Sequence, residues 1–107
     1  MTKRKLAIDI KHELIGNATA RVVLHIGDLA SQKKLCIVSN FWRDLDITYC
    51  HAMKICKELE HLALIDSYKH GRVRQIKLTE NGEFLYAYLE SVRMLFEKIS
   101  KPRVNDI

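Results

Sequence analysis

The sequence of 107 residues has one proline, Pro102, and four glycines. So few breakers leave little room for flexible linkers between folded parts. Its three cysteines are an odd number without paired spacing. That argues against a disulfide framework and for a reducing, cytoplasmic setting. No apolar run is long enough to span a membrane. The basic start MTKRKLAIDIKHEL meets Asp9, Lys11, His12 and Glu13 before a signal-peptide core can form. There is no glycine-rich phosphate loop, paired-acid motif or nucleophile constellation, and the five histidines are scattered singly. These absences speak against an enzyme and leave no cofactor site to assign.

What is present is a globular mixture, 48% hydrophobic and 29% charged, enough for one core at this length. Residues 1–107 therefore read as one domain. The formal net charge of +5 favours polyanions or acidic surfaces without indicating a fold.

Apolar spacing gives the order of elements. In LAIDIKHELI, Leu6, Ile8 and Ile10 alternate like a strand, while Leu6, Ile10 and Leu14 fit one helix face; the helix is preferred. After Gly16, Asn17 or Thr19 can cap a helix carrying Val22, Val23, Ile26, Leu29 and Ala30 and ending near Lys33. LCIV is a small strand or the entry to the next helix. Ser39 is placed to cap a helix of about two turns with Phe41, Trp42 and Leu45 as its stripe. Asp46 and Ile47 make a tight break, and Thr48 caps a longer helix to about His61. Two helices joined by so short a turn form a helix-turn-helix. LALIDSYK and VRQIKL then read as strands around a His70–Gly71 turn. Thr79 caps a last helix, with Glu80 and Glu83 in its first turn, reaching about Ser100 before Pro102 stops it. The fold class is mainly α with a β-hairpin wing: a winged helix-turn-helix core over residues 17–79, an N-terminal extension over 1–16 and a long dimerisation helix over 80–101.

The stretch YCHAMKICKELEH holds Cys50, His51, Cys56 and His61, all zinc-ligand types. A helical wheel separates them. Ala52, Ile55, Cys56 and Leu59 gather on one side as a core stripe. Cys50 and His61 share the opposite side but sit roughly 16 Å apart along the axis. Four ligands around one metal cannot be made from this set, so no metal is assigned.

The exposed half of that helix has another use. Thr48, Tyr49, Cys50, His51, Met53, Lys54 and Lys57 lie on or beside its N-terminal half, the part that enters the major groove in helix-turn-helix proteins. Lysine reaches phosphates or guanine edges, and tyrosine bonds a phosphate or packs on a thymine methyl. The hairpin YKHGRVRQIK adds Lys69, His70, Arg72, Arg74 and Lys77 with no acid among them. Folding alone gives no reason to gather like charges there, whereas a phosphate backbone does. The competing account is an edge kept soluble by charge.

In the last helix, Leu85, Leu89, Val92, Phe96 and Ile99 alternate steps of four and three, a seam with a mean period of about 3.5 residues. Tyr88 and Leu95 widen it. Such a seam predicts a homodimer, with a helix folded back onto LAIDIKHELI as the alternative, and both could hold at once. A two-fold dimer would read two half-sites, an inverted repeat in double-stranded DNA.

LEHLALI, a basic hairpin and KLTENG resemble the MarR/PadR type of winged-helix regulator. The matching residues are Leu59, Glu60, Leu64 and Ile65, then Leu78, Thr79 and Gly82, within about residues 19–90. The resemblance implies a recognition helix beginning at Thr48 and a wing arginine, Arg72, in the minor groove. It implies a DNA-binding transcription regulator, most often a repressor. Two departures stand out: Ala63 replaces the usual glycine of the turn, and His70 stands where a wing acid is common. The small size is similar to minimal winged-helix proteins of archaea and their viruses and plasmids. The competing functions are a non-specific architectural or partition DNA-binding protein and a winged-helix protein-interaction module.

Overall fold

The computed structural model describes residues 11–100; the expectations for Leu6, Ile8 and Ile10 lie outside them. A π-helical turn, His12–Gly16, leads into α1 (Ala18–Ser31). A 3-10 turn, Val38–Asn40, leads into α2 (Phe41–Leu45), and α3 (Tyr49–His61) follows after a short break. Strands β1 (Ile65–His70) and β2 (Val73–Leu78) form an antiparallel hairpin, and α4 (Glu80–Ser100) comes last. This is the mainly helical winged-helix order expected from the sequence.

Polar side chains start the helices. Asn17 Oδ1 accepts the Ala20 N–H at 2.8 Å, so Asn17, rather than Thr19, caps α1. Thr48 Oγ1 accepts the His51 N–H at 3.2 Å and caps α3. Ser39 does not cap: it lies inside the 3-10 turn, and α2 begins with no side-chain cap. LCIV serves both suggested roles. Ile37 bridges Gln75 of β2, and Val38 opens the 3-10 turn.

Left-handed residues end the helices. Lys33, Asp46 and Ala63 have φ of 57°, 56° and 59°. After α3 the Leu64 N–H donates to Leu59 O at 2.9 Å and the Ala63 N–H to Glu60 O at 3.0 Å. This pair of bonds defines a Schellman turn, whose left-handed position normally takes glycine. After α1, Lys34 and Lys33 make the same two bonds, to Leu29 O and Ala30 O.

The core is one cluster. Val22, Val23 and Ile26 of α1 meet Phe41 of α2, Ala52, Ile55, Cys56 and Leu59 of α3, Ile65 and Ile76 of the hairpin, and Leu89 and Phe96 of α4. Phe41 is fully buried and Leu45 packs partly against the cluster, but Trp42 is 64% exposed. The stripe expected on α2 thus loses its tryptophan: positions 41 and 45 share a face, and 42 lies about 100° away.

The last helix corrects a second expectation. Leu89 and Phe96 are 6% and 8% exposed, and Leu85 and Val92 pack partly buried on the same core. The seam assigned to dimerisation is therefore turned onto the chain's own domain, and only Ile99 of the five stays exposed. Polar bonds fix this placement. Arg93 Nη1 and Nη2 each donate to Asp28 of α1 at 2.9 Å, and the Tyr86 hydroxyl donates to Asp28 Oδ1 at 2.7 Å. The Arg93 guanidinium holds the Asp28 carboxyl below its ordinary range despite partial burial.

A left-handed alanine costs about 1–2 kcal/mol against a right-handed conformation, and glycine removes that cost at some loss of chain entropy. Ala63→Gly is therefore expected to stabilise the fold by about 1 kcal/mol, read as a higher urea midpoint with an unchanged slope.

Candidate nucleic-acid interface

The start of α3 is set by two side chains. Ile47 is buried just before it, and Thr48 satisfies the first-turn amide of His51. With Ala52, Ile55, Cys56 and Leu59 fixed in the core, the helix presents Thr48, Tyr49, Cys50, His51, Lys54 and Lys57 outward, all exposed. Met53 differs: it is partly buried and packs against the core. Among the described residues no three His, Cys, Asp or Glu side chains converge to hold a metal ion. Cys56 instead packs as a small hydrophobe, and burial pushes its thiol up to about 11. Burial likewise pushes Cys36 up to about 12.

The hairpin register pairs His70 with Val73, so the two-residue loop is Gly71–Arg72, one position beyond the expected His70–Gly71 turn. Gly71 has φ of +66° and Arg72 does not share a positive φ, the pattern of a type II′ turn, whose first loop position favours glycine. Arg72 therefore stands at the tip, exposed, beside exposed Lys69 and His70.

Arg74 is placed differently. Its Nη1 donates to Ser67 Oγ at 2.9 Å, and Ser67 Oγ donates to the Glu60 carboxylate at 3.3 and 3.4 Å. Arg74 is half-buried and braces the hairpin against the last turn of α3. Sequence reasoning grouped it with the wing cations and missed Ser67 and Glu60. Strand parity carried the signal: Arg74 alternates in step with Ile76, which is buried. Lys77, on the opposite face, places Nζ 5.8 Å over the Tyr68 ring.

α3 packs on β1 of the hairpin that carries Arg72 at its tip.

No protein-family model matches the sequence, and no curated protein matches it. Solved structures are similar in fold. MepR of S. aureus, in the crystal structure of its complex with DNA, is 23% identical with a TM-score of 0.64, over 92% of this chain and 81% of that one. The adhesin competence repressor AdcR from Streptococcus pyogenes is 14% identical with a TM-score of 0.67, over 91% and 76%. An Archaeoglobus fulgidus protein is 12% identical with a TM-score of 0.66, over 78% and 89%. The chain shares the winged-helix fold of these proteins.

The surface also has a chemical signature. Of the three thiols, Cys36 and Cys56 are buried and Cys50 is exposed. A thiol reagent at neutral pH is expected to label one cysteine quickly in the folded protein and the other two only on unfolding, because thiolate is the reactive form. Mass mapping that finds Cys36 or Cys56 labelled first would contradict this packing.

Proposed function

We propose that the chain is a double-stranded DNA-binding transcriptional regulator acting as a homodimer. The carrying observation is the exposure of Thr48, Tyr49, Cys50, His51, Lys54 and Lys57 on α3 beside a hairpin whose tip is Arg72. In this reading the first half of α3 enters the major groove. Lys69, His70 and Arg72 follow the phosphates or the minor groove. Arg74 serves from behind, as the brace between hairpin and helix. The structural likeness to MepR, a protein seen with DNA, supports this reading.

The dimer reading now rests on a different face of α4. Phe84, Tyr88, Leu95 and Ile99 are 67%, 60%, 53% and 54% exposed. On a helical wheel they fall within about 60° of one another, next to the face that Leu85, Leu89, Val92 and Phe96 close onto the core. A stripe of large apolar side chains rising along a helix of 21 residues is a surface that a second copy would bury. Two copies would double the phosphate contacts and favour an inverted repeat.

Fluorescence anisotropy with random-sequence duplex DNA across a salt series tests the DNA reading. Binding should weaken steeply with salt, and Arg72→Ala should lower the slope by about one. Arg74→Ala should mainly lower the thermal midpoint. No binding at low salt by the folded protein would overturn the reading and send the search to a protein partner. Site selection then separates a regulator from an architectural or partition protein, which would show little preference.

For the dimer, sedimentation should give twice the chain mass. The double substitution Tyr88→Glu and Leu95→Glu should yield a folded monomer with weaker operator binding. A monomeric wild type at binding concentrations would refute it.

A further inference from the structure

One side-chain atom among the described residues is buried without a hydrogen-bond partner: His25 Nε2 on α1. It lies 3.3 Å from Asp44 Oδ2, within ion-pair reach but outside hydrogen-bond alignment. The imidazole also stands edge-on to Phe41, with ring centroids 5.7 Å apart and planes at 79°. Both neighbours belong to α2, the first helix of the helix-turn-helix. A buried orphan nitrogen is costly, and native proteins rarely keep one without a reason.

A proton changes the balance. The imidazolium donates from both nitrogens and puts a positive charge against the Asp44 carboxylate, which strengthens the contact. We infer that His25 is a proton-dependent positioning residue for DNA binding: its charged ring grips Asp44 and fixes α2, and with it the start of α3, in the docking orientation. The inference rests on the DNA-binding reading above and adds its regulation.

The charged groups around the ring come from three helices. Asp44 of α2 also meets its neighbour Arg43, whose Nε lies 3.4 Å from Oδ1. Asp28, one turn along α1, is near enough to be stabilised by a charge on His25, but its carboxylate is already held by Arg93 of α4. Arg21, one turn back on α1, donates to the Leu45 carbonyl. The Cys36 thiol near Asp44 is neutral at physiological pH. Carboxylates are ionised above about pH 4 and imidazoles charge below about pH 6.5. The grip needs a protonated imidazole facing an ionised carboxylate, so the expected sign is tighter DNA binding at acidic pH.

Exposed His51 and His70 would also favour DNA when protonated, by touching phosphate. Their contribution would alter the salt slope, since each phosphate neutralised releases counterions. His25 has a side chain 17% exposed and turned to α2, so its proton should shift affinity at every salt concentration and leave the slope unchanged.

The test measures duplex affinity by anisotropy at about pH 6 and about pH 8 for the wild type, His25→Gln, Asp44→Asn and the double variant. The pair is expected to contribute about threefold to the acid-side gain in affinity. Each single variant should lose that factor, the double should lose no more than either, and the salt slope should stay as in the wild type. Should either variant keep the full wild-type pH ratio, the inference fails. NMR titration of the His25 ring without DNA supplies an independent arm: its midpoint should fall in Asp44→Asn, and an unmoved midpoint overturns the pairing. If no DNA binds at any pH, the functional reading fails while this arm still decides the pair. Asp44→Asn, on a side chain 31% exposed, keeps the test available should His25→Gln not fold.

Discussion

The carbonyls of Ala63 and Leu64 hold the molecule's working parts in register. Thr79 Oγ1 donates to Ala63 O at 2.6 Å and accepts the Gly82 N–H at 3.1 Å, while the Thr79 N–H donates to Leu64 O at 3.0 Å. One threonine thus ties the end of α3, the root of the hairpin and the first turn of α4. Gly82 is required there for space: a Cβ would stand 1.9 Å from Leu64 O. The Leu-Thr-x-x-Gly pattern is therefore the covalent form of a three-element joint. It explains how α3 and the hairpin keep a fixed angle. The left-handed Ala63 beside it is the cost the joint carries, because the Schellman turn must reverse the chain before Thr79 can reach back.

Elements whose evidence was local were legible in the sequence. Asn17, Thr48 and Thr79 cap because a short polar side chain placed just before an apolar stripe has few other uses. The core stripe of α3 followed from spacing alone, and it dissolved the apparent zinc cluster by burying Cys56 and exposing Cys50. Ser39 misled because it lies inside a 3-10 turn, where the Phe41 N–H that it might have capped already donates to Val38 O. Trp42 misled because a helix of five residues has room for one buried face only, and Phe41 with Leu45 fills it.

The seam of α4 shows the limit of periodicity. Steps of four and three identify a face that is buried; they do not name what buries it. Here the answer is α1 and the π-helical turn, with Asp28 and Arg93 setting the rotation of the helix. Once that rotation is known, the residues that seemed to widen the seam, Tyr88 and Leu95, become a separate outward stripe with Phe84 and Ile99. The basic hairpin had the same ambiguity. Its charges were visible in the sequence; the register places Arg72 at the tip, while Arg74, in step with buried Ile76, bonds Ser67.

The first helix of the helix-turn-helix brings these points together. With five residues, α2 is too short to be stable by its own hydrogen bonds, since helix nucleation alone is unfavourable over such a length. It has no side-chain cap at its start and ends in the left-handed Asp46. Its position is therefore imposed from outside, by Phe41 in the core, by Arg21 on the Leu45 carbonyl and by the meeting of His25 with Asp44. The first two of these do not change with pH in the physiological range. The third is the contact that we propose a proton strengthens, and it acts on the element least able to hold itself. A single proton can therefore bear on the placement of α3 while the rest of the fold, fixed by burial and by the Thr79 joint, stays as it is.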